Sequence, residues 1–260
     1  MSEYDEVLVE KREAALWIII NREARRNAID DRAILAMSAA LAKAEADDDV
    51  RAVVITAAGE RAFCSGADLS ANSGTFQFDT SQNSIPYARL LRQARELGLP
   101  IIARINGHCV AGGMGLLAMA DMAVAADHAK FGLPEVKVGV FPMLVTSVLK
   151  DLIPPRQLSE LALTGEFIMA KDALGIGLLN YVVPAAELDE KVNWLVNRLV
   201  DKSPTGIRRG KYAMQRASSM SFEEALAYLE SQIAIMALTE DAAEGRKAFI
   251  EKRPPVWTGR

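Results

Sequence analysis

Histidine and cysteine are the scarcest chemistry-bearing residues of this 260-residue chain, with two of each. Cys64 and Cys109 cannot make a disulfide framework, and two histidines leave little for a histidine metal site, so no metal is expected. A Ser-His or Cys-His hydrolase would have to use His108 or His128. That scarcity moves the expected chemistry to carboxylates and backbone groups. There is no dense block of one charge: 30 Lys and Arg stand against 34 Asp and Glu, a formal net charge of −4. A dedicated nucleic-acid binder is therefore not expected. Long apolar runs are missing too. The longest uncharged one, residues 105–120, is about 16 residues, short of the ~18–20 that span a bilayer, and Asn106, His108 and several glycines interrupt it. The start of the sequence is acidic and has no basic segment ahead of its apolar run, unlike a signal peptide. No membrane association and a cytoplasmic location are the expectations.

What remains is an ordinary globular composition, half hydrophobic and a quarter charged, with ample material for a core. Residues 7–10 and 14–20 read as strands around a charged turn, and 51–56 as a β-branched strand. Helical spacing covers 30–46, with Asp30 or Asp31 as N-cap, and returns over 86–97 after a polar stretch, 70–84, that reads as flexible. Residues 59–69 read as a loop, 100–105 and 122–126 as short strands, and 112–119 as a helix. This alternation predicts βα crossovers and an α/β core. Beyond Pro142 only 180–183 reads as extended. Ser203-Pro204, the capping box Ser221 to Glu224, and Thr239 open three further helices. The chain thus divides into a body, 1–195, and a helical tail, 196–260, that must pack on the body or on a neighbouring subunit. No internal repeat is visible.

Two glycine-containing turns stand between strand and helix: 62–69, AFCSGADL, and 105–114, INGHCVAGGM. Such turns let a backbone approach a ligand closely and leave free N–H groups at a helix start. Two N–H groups on one oxygen would stabilise negative charge on a thioester or ester carbonyl. Tight strand–helix packing is the plainer reading of either turn alone.

Together, in this order and spacing, the turns resemble the crotonase (enoyl-CoA hydratase/isomerase) superfamily. The resemblance spans nearly the whole chain. It takes in NREARRN at 21–27, Asp121, FGLPE at 131–135, LTG at 163–165, the VVP of 182–184 and AFIEK at 248–252. It implies a crotonase-like spiral of ββα units with a C-terminal helical trimerisation region, a homotrimer or a dimer of trimers. It implies an acyl-CoA thioester as substrate, with no cofactor beyond the CoA that the substrate carries. The oxyanion-hole amides would fall on Ala67 and Gly112. CoA would be bound by Arg25, Arg26, the backbone around Ser65 and Ala67, and Phe249 and Lys252 from the tail. Tyr87, Leu90 and Leu91 would border the acyl pocket, although plain core spacing explains them equally well.

Hydratases of the family carry a glutamate three residues after the second oxyanion glycine; here that position is Gly115. The second family glutamate is present as Glu135. Its apolar neighbours, Leu133, Val136, Val138, Val140 and Phe141, predict partial burial and a raised pKa, useful in a general acid/base. One carboxylate suffices to shuttle a proton between C2 and C4 of an enoyl thioester. Isomerisation is therefore expected ahead of hydration, and Met143 and Leu144, which make the pocket wall more apolar, point the same way. A non-catalytic acyl-CoA-binding scaffold is the alternative. Cys64 and Cys109 are expected to be buried structural thiols, His108 to pack rather than catalyse, and Asp68 to stabilise its turn.

Overall fold

The run of apolar residues at Ala15–Ile20, with no polar alternation, suits a strand covered on both faces of its sheet. In a computed structural model of the chain, which describes residues 6–70 and 81–260, it forms such a strand. β1 (Val7–Arg12) and β2 (Ala15–Ile20) make an antiparallel hairpin. Helix α1 (Asp31–Glu45) follows, with the Asp30 carboxylate accepting from the Ala33 N–H at 3.0 Å. The chain then repeats one pattern three times. β3 (Ala52–Ala57) and β4 (Ala62–Cys64) lead to α2 (Pro86–Glu96). β5 (Ile101–Ile105) and β6 (His108–Val110) lead to α3 (Gly112–Ala118). β7 (Met122–Ala126) and β8 (Lys130–Gly132) lead to a 3-10 turn, Pro134–Val138, and α4 (Met143–Leu149).

Each ββα unit sends its first strand to one sheet and its second to another. Among the described residues the large sheet has the order β1-β2-β3-β5-β7-β10, parallel from β2 onward. The small sheet has the order β4-β6-β8-β9, parallel except for its last pair. The remaining elements are α5 (Pro155–Thr164), β9 (Phe167–Met169), α6 (Ala170–Gly175), β10 (Tyr181–Val183), α7 (Leu188–Val200), α8 (Pro204–Ala217), α9 (Phe222–Met236) and α10 (Glu240–Glu251).

Alternation along the strands divides the core. Trp17, Ile19, Val54, Ile102 and Val124 face α7, meeting Leu188, Val192 and Leu195. Leu16, Ile18, Ile20, Val53, Ile55 and Ile101 face the other way, into a larger core shared with α1, α2 and α3. Leu195, where the body was expected to end, lies inside α7; the chain leaves the large sheet only after Val200. Lys211 of α8, 5% exposed, ties the tail to the body by donating to Asp121 Oδ2 at 2.7 Å and Leu99 O at 2.8 Å. Asp241 joins α10 to α8 and the C-terminal segment by accepting from the Ser203 hydroxyl and the N–H groups of Thr258 and Gly259. Among the described residues α9 buries none of its own, and Phe222, Leu226 and Ile233 are exposed.

Asp30, Ser203 and Thr239 cap their helices as expected, and Glu224 accepts from the Ser221 N–H at 2.9 Å. The loop expected at 59–69 contains β4, and the second glycine turn contains β6. Past Pro142, β9 is a second extended segment beside β10. These three-residue strands hold by pairing with neighbours, since so short a segment carries no period of its own. Of the stretch expected to be flexible, residues 71–80 lie outside the described residues. No helix among the described residues is long and apolar enough to cross a membrane.

Candidate active site

Because β4, β6 and β8 are parallel neighbours, the segments that follow them emerge side by side at one end of the small sheet. After β4 comes Gly66-Ala67, after β6 Ala111-Gly112, and after β8 Glu135. The first turn is pinned to the segment before α1. The Ile29 N–H donates to Gly66 O and the Asp68 N–H to Ile29 O, both at 2.8 Å. Ala67, between those bonds, turns its own N–H to the opposite side, as alternation along a parallel bridge requires. Gly112 is the first residue of α3, so its N–H is among those that a helix leaves without an internal acceptor.

The two turns touch. Gly66 has φ +95°, and a Cβ there would lie 2.6 Å from the Ala111 Cβ and 3.3 Å from the Gly112 N, so neither conformation nor space admits a side chain. Ala111 itself has φ 51° and ψ −126°, a strained geometry for a residue other than glycine. Its N–H donates to Gly132 O at 3.0 Å, which holds the turn open toward the cavity.

A buried polar cluster supports the first turn. Arg22 donates to the Asp68 carboxylate at 2.8 Å and to the Ala28 carbonyl, and lies 3.0 Å from the Asp30 carboxylate. The Asn27 side chain donates to Ala58 O at 2.9 Å and Ala62 O at 2.7 Å. The N-R…N segment therefore serves the backbone of the glycine turn. Burial opposes ionisation of Asp68, but the Ser70 N–H and hydroxyl and the guanidinium groups of Arg25 and Arg22 outweigh it. Its carboxyl is held well below the usual range, and Asp68 stabilises the turn as expected.

A cavity of about 600 Å³ opens in front of both turns. Ser65, Ala67 and Gly112 line it, and so does Glu135, with Val138, Phe141, Met143, Leu144 and Val145. Burial pushes the Glu135 pKa up, and its Oε2 atom is buried with no hydrogen-bond partner among the described residues. A carboxylate in that setting is suited to taking and returning a proton.

Several expected site residues fall elsewhere. Tyr87 lines the cavity and its hydroxyl donates to the Gly112 carbonyl. Leu90 and Leu91 do not line it: they are buried in the core on the inner face of α2, and the wall this segment provides is Ile85, Pro86 and Tyr87. The Arg25 guanidinium donates through Nη1 to Asp68 at 2.7 Å and Ser70 at 3.3 Å, so one of its nitrogens serves the first turn. Arg26 lines a second cavity of about 810 Å³ with Arg61, His108, His128 and Lys130, which meets the first at Ser65. Phe249, 86% exposed, and Lys252 line neither cavity among the described residues. The sequence reading missed Asp31 and Lys137 in the first wall, and the basic cavity altogether.

Cys64 and Cys109 are buried and unpaired, and burial pushes the Cys64 thiol up to about 12, so neither offers a thiolate. His108 accepts from the Lys130 N–H at 3.3 Å. Burial, then the charges of Lys130, His128 and Arg26, lower its pKa.

The match to known proteins runs through the same segments. A family model described as enoyl-CoA hydratase/isomerase covers residues 10–260. Carnitinyl-CoA dehydratase of Salmonella enteritidis PT4 is 36% identical over 241 residues, covering 91% of this chain and 92% of that protein. Among solved structures, an enoyl-CoA hydratase from Bacillus anthracis superposes with a TM-score of 0.90 at 28% identity over 98% of this chain and 100% of that one. An enoyl-CoA hydratase from Mycobacterium tuberculosis H37Rv gives 0.88 at 30% identity, over 98% and 99%. A probable enoyl-CoA hydratase/isomerase from Mycobacterium abscessus gives 0.85 at 34% identity, over 98% and 99%. Spiral fold, glycine turns and full-length match agree, and this chain belongs to the enoyl-CoA hydratase/isomerase family of the crotonase superfamily.

Proposed function

We propose that this chain forms thioester enolates of an acyl-CoA, with Glu135 as the single acid/base and the Ala67 and Gly112 N–H groups holding the thioester oxygen. The reaction it completes is the reversible addition and loss of water across C2–C3. The observation that carries the reading is that Glu135, with one carboxylate oxygen buried and unpartnered among the described residues, lines the same cavity as both turns. In the dehydration direction Glu135 takes the proton from C2 and negative charge moves to the thioester oxygen. The C3–O bond then breaks, and the same proton leaves on the departing hydroxyl as water. Each oxyanion donor contributes about 2.7–4 kcal/mol to such a transition state. Curated relatives named carnitinyl-CoA dehydratase support this direction. A scaffold that only bound acyl-CoA would have no use for a carboxylate kept in an apolar wall.

Isomerisation of a 3-enoyl to a 2-enoyl thioester is the second reading, favoured by Gly115, which leaves Glu135 without the second glutamate. Arg26 and Ser65 share the second cavity, whose cations Arg26, Arg61 and Lys130, beside one acidic residue, Glu60, suit the phosphates of CoA. The apolar surface of α9 supports assembly into a trimer or a dimer of trimers. Since Phe249 and Lys252 line neither cavity of their own chain, their expected part in CoA binding requires a second protomer. The test offers matched 2-enoyl-CoA and 3-enoyl-CoA to the protein and to Glu135→Gln. Hydration lost in the variant supports the reading; turnover at the parent rate overturns it.

A further inference from the structure

Gly115 leaves no empty space in the site. A Cβ on it would overlap the Tyr87 hydroxyl and lie 3.2 Å from Tyr87 Cζ and 3.5 Å from Val145 Cγ2. The volume that a side chain at 115 would enter is filled by a phenol reaching in from α2. The Tyr87 hydroxyl donates a hydrogen bond to the Gly112 carbonyl, which leaves its oxygen lone pairs to accept. Burial pushes the phenol well above its usual pKa, so it keeps that proton. Tyr87, Gly112 and Glu135 line one cavity, and Met143, Leu144 and Val145, which line it too, offer at most the weak acceptor of the Met143 thioether.

We propose that the Tyr87 hydroxyl stands in for the missing second glutamate: it accepts a hydrogen bond from the reacting water, or from the departing C3 hydroxyl, and holds that oxygen against Glu135. The inference rests on Glu135 as the base. In hydration Glu135 takes one hydrogen of the water as a proton, the oxygen bonds to C3, and the proton returns to C2. The second hydrogen stays on the oxygen, bonded to Tyr87, which neither gains nor loses a proton. Tyr87 is thereby needed for hydration and dehydration, and not for making the enolate.

Two readouts separate these roles. Exchange of the C2 hydrogens of a saturated acyl-CoA in deuterated water requires only the base and the oxyanion donors. Hydration of the 2-enoyl-CoA requires the held water as well. Tyr87→Phe is expected to lower kcat for hydration about tenfold, the effect of losing one hydrogen bond at a transition state, while exchange stays within about twofold. Equal losses of both would assign Tyr87 to holding the Gly112 peptide and overturn the proposal, as would unchanged hydration. Exchange without hydration in the parent protein would also overturn it, and would leave Glu135 standing as the base of an isomerase. Exchange surviving in Glu135→Gln would remove the base and this inference together. If Tyr87→Phe fails to fold, Tyr87→Ala combined with Gly115→Glu replaces the hydroxyl by a carboxylate. Hydration above that of Tyr87→Ala is expected, and no gain in the folded pair would overturn the proposal.

Discussion

Gly112→Ala and Gly113→Ala add the same methyl group one residue apart, with opposite expected consequences. A Cβ on Gly112 would lie 3.6 Å from both the Ala67 N and the Gly66 Cα, an ordinary contact. Alanine is also the better helix former, so at the start of α3 the stability is expected to stay within about 1 kcal/mol of the parent. The thioester oxygen, however, must come within about 2.7–3.1 Å of the Ala67 N, into space that the new methyl borders. Displacing it weakens one or both donor bonds, a loss of about 2.7–4 kcal/mol, or 10²–10³ in kcat. A Cβ on Gly113 meets the Cys64 carbonyl oxygen at 2.6 Å and the Cys64 Cβ at 2.8 Å, a clash of α3 with β4. Overpacking of that kind costs about 1–3 kcal/mol of stability. Thermal melts and steady-state hydration of both variants make the assay. Gly112→Ala with parent kcat/KM would refute the assignment of Ala67 and Gly112 as the oxyanion donors. Gly113→Ala with the parent melting point would refute the packing argument.

Other consequences are open to measurement. Glu135 must be ionised to act as a base, and burial raises its pKa above the ordinary 4.5. The acid limb of kcat/KM should therefore fall at a pH higher than 4.5, and a limb at or below that value would show a different base. Asp241 has its pKa lowered to about 2: burial opposes ionisation, but donors from Ser203, Thr258, Gly259 and Thr205 outweigh it. A depressed carboxylate stabilises the fold fully above its unfolded pKa and loses that contribution as pH falls toward 2. Asp241→Asn is thus expected to lose about 1–3 kcal/mol in urea unfolding at pH 7, and its deficit should shrink below pH 4. Ile233, 70% exposed on α9, lies on the surface proposed for assembly. Ile233→Glu should shift sedimentation toward the monomer, and an unchanged profile would place the interface elsewhere.

The long elements were legible in the sequence and the short ones were not. β2 announces itself as an unbroken apolar run, β3 by its β-branched residues, and α1 by its spacing and its Asp30 cap. β4, β6, β8 and β9 have three residues each, too few for a period, and two of them hide inside the glycine turns. The ββα repeat is invisible for a related reason: it is a repeat of pairing, with no repeated residues. Gly66, Gly112 and Glu135 could be picked out by type and neighbourhood, since backbone freedom and an apolar setting are local properties. The place of Tyr87 could not. Its meeting with Gly115 depends on how α2 lies across the start of α3. The resemblance implies Leu90 and Leu91 as pocket residues, whereas their spacing on α2 also marks a core-facing stripe, and the core has them. The resemblance places Arg25 among the CoA-binding residues, and the sequence does not show that Asp68 folds back onto its guanidinium.

The order β4-β6-β8 puts Gly112 just after the middle strand, between the segments that carry the other amide and the carboxylate. In the proposed mechanism charge would be held across the β4–β6 seam, while protons would be handled across the β6–β8 seam and the wall that follows it. The fate of the enolate would be set by Met143, Leu144 and Tyr87, the residue facing Gly115, while Glu135 and the two amides stay as they are. Holding charge and choosing the product would then be separable tasks, the first resting on the two glycine turns and the second on the walls that α2 and the third unit supply.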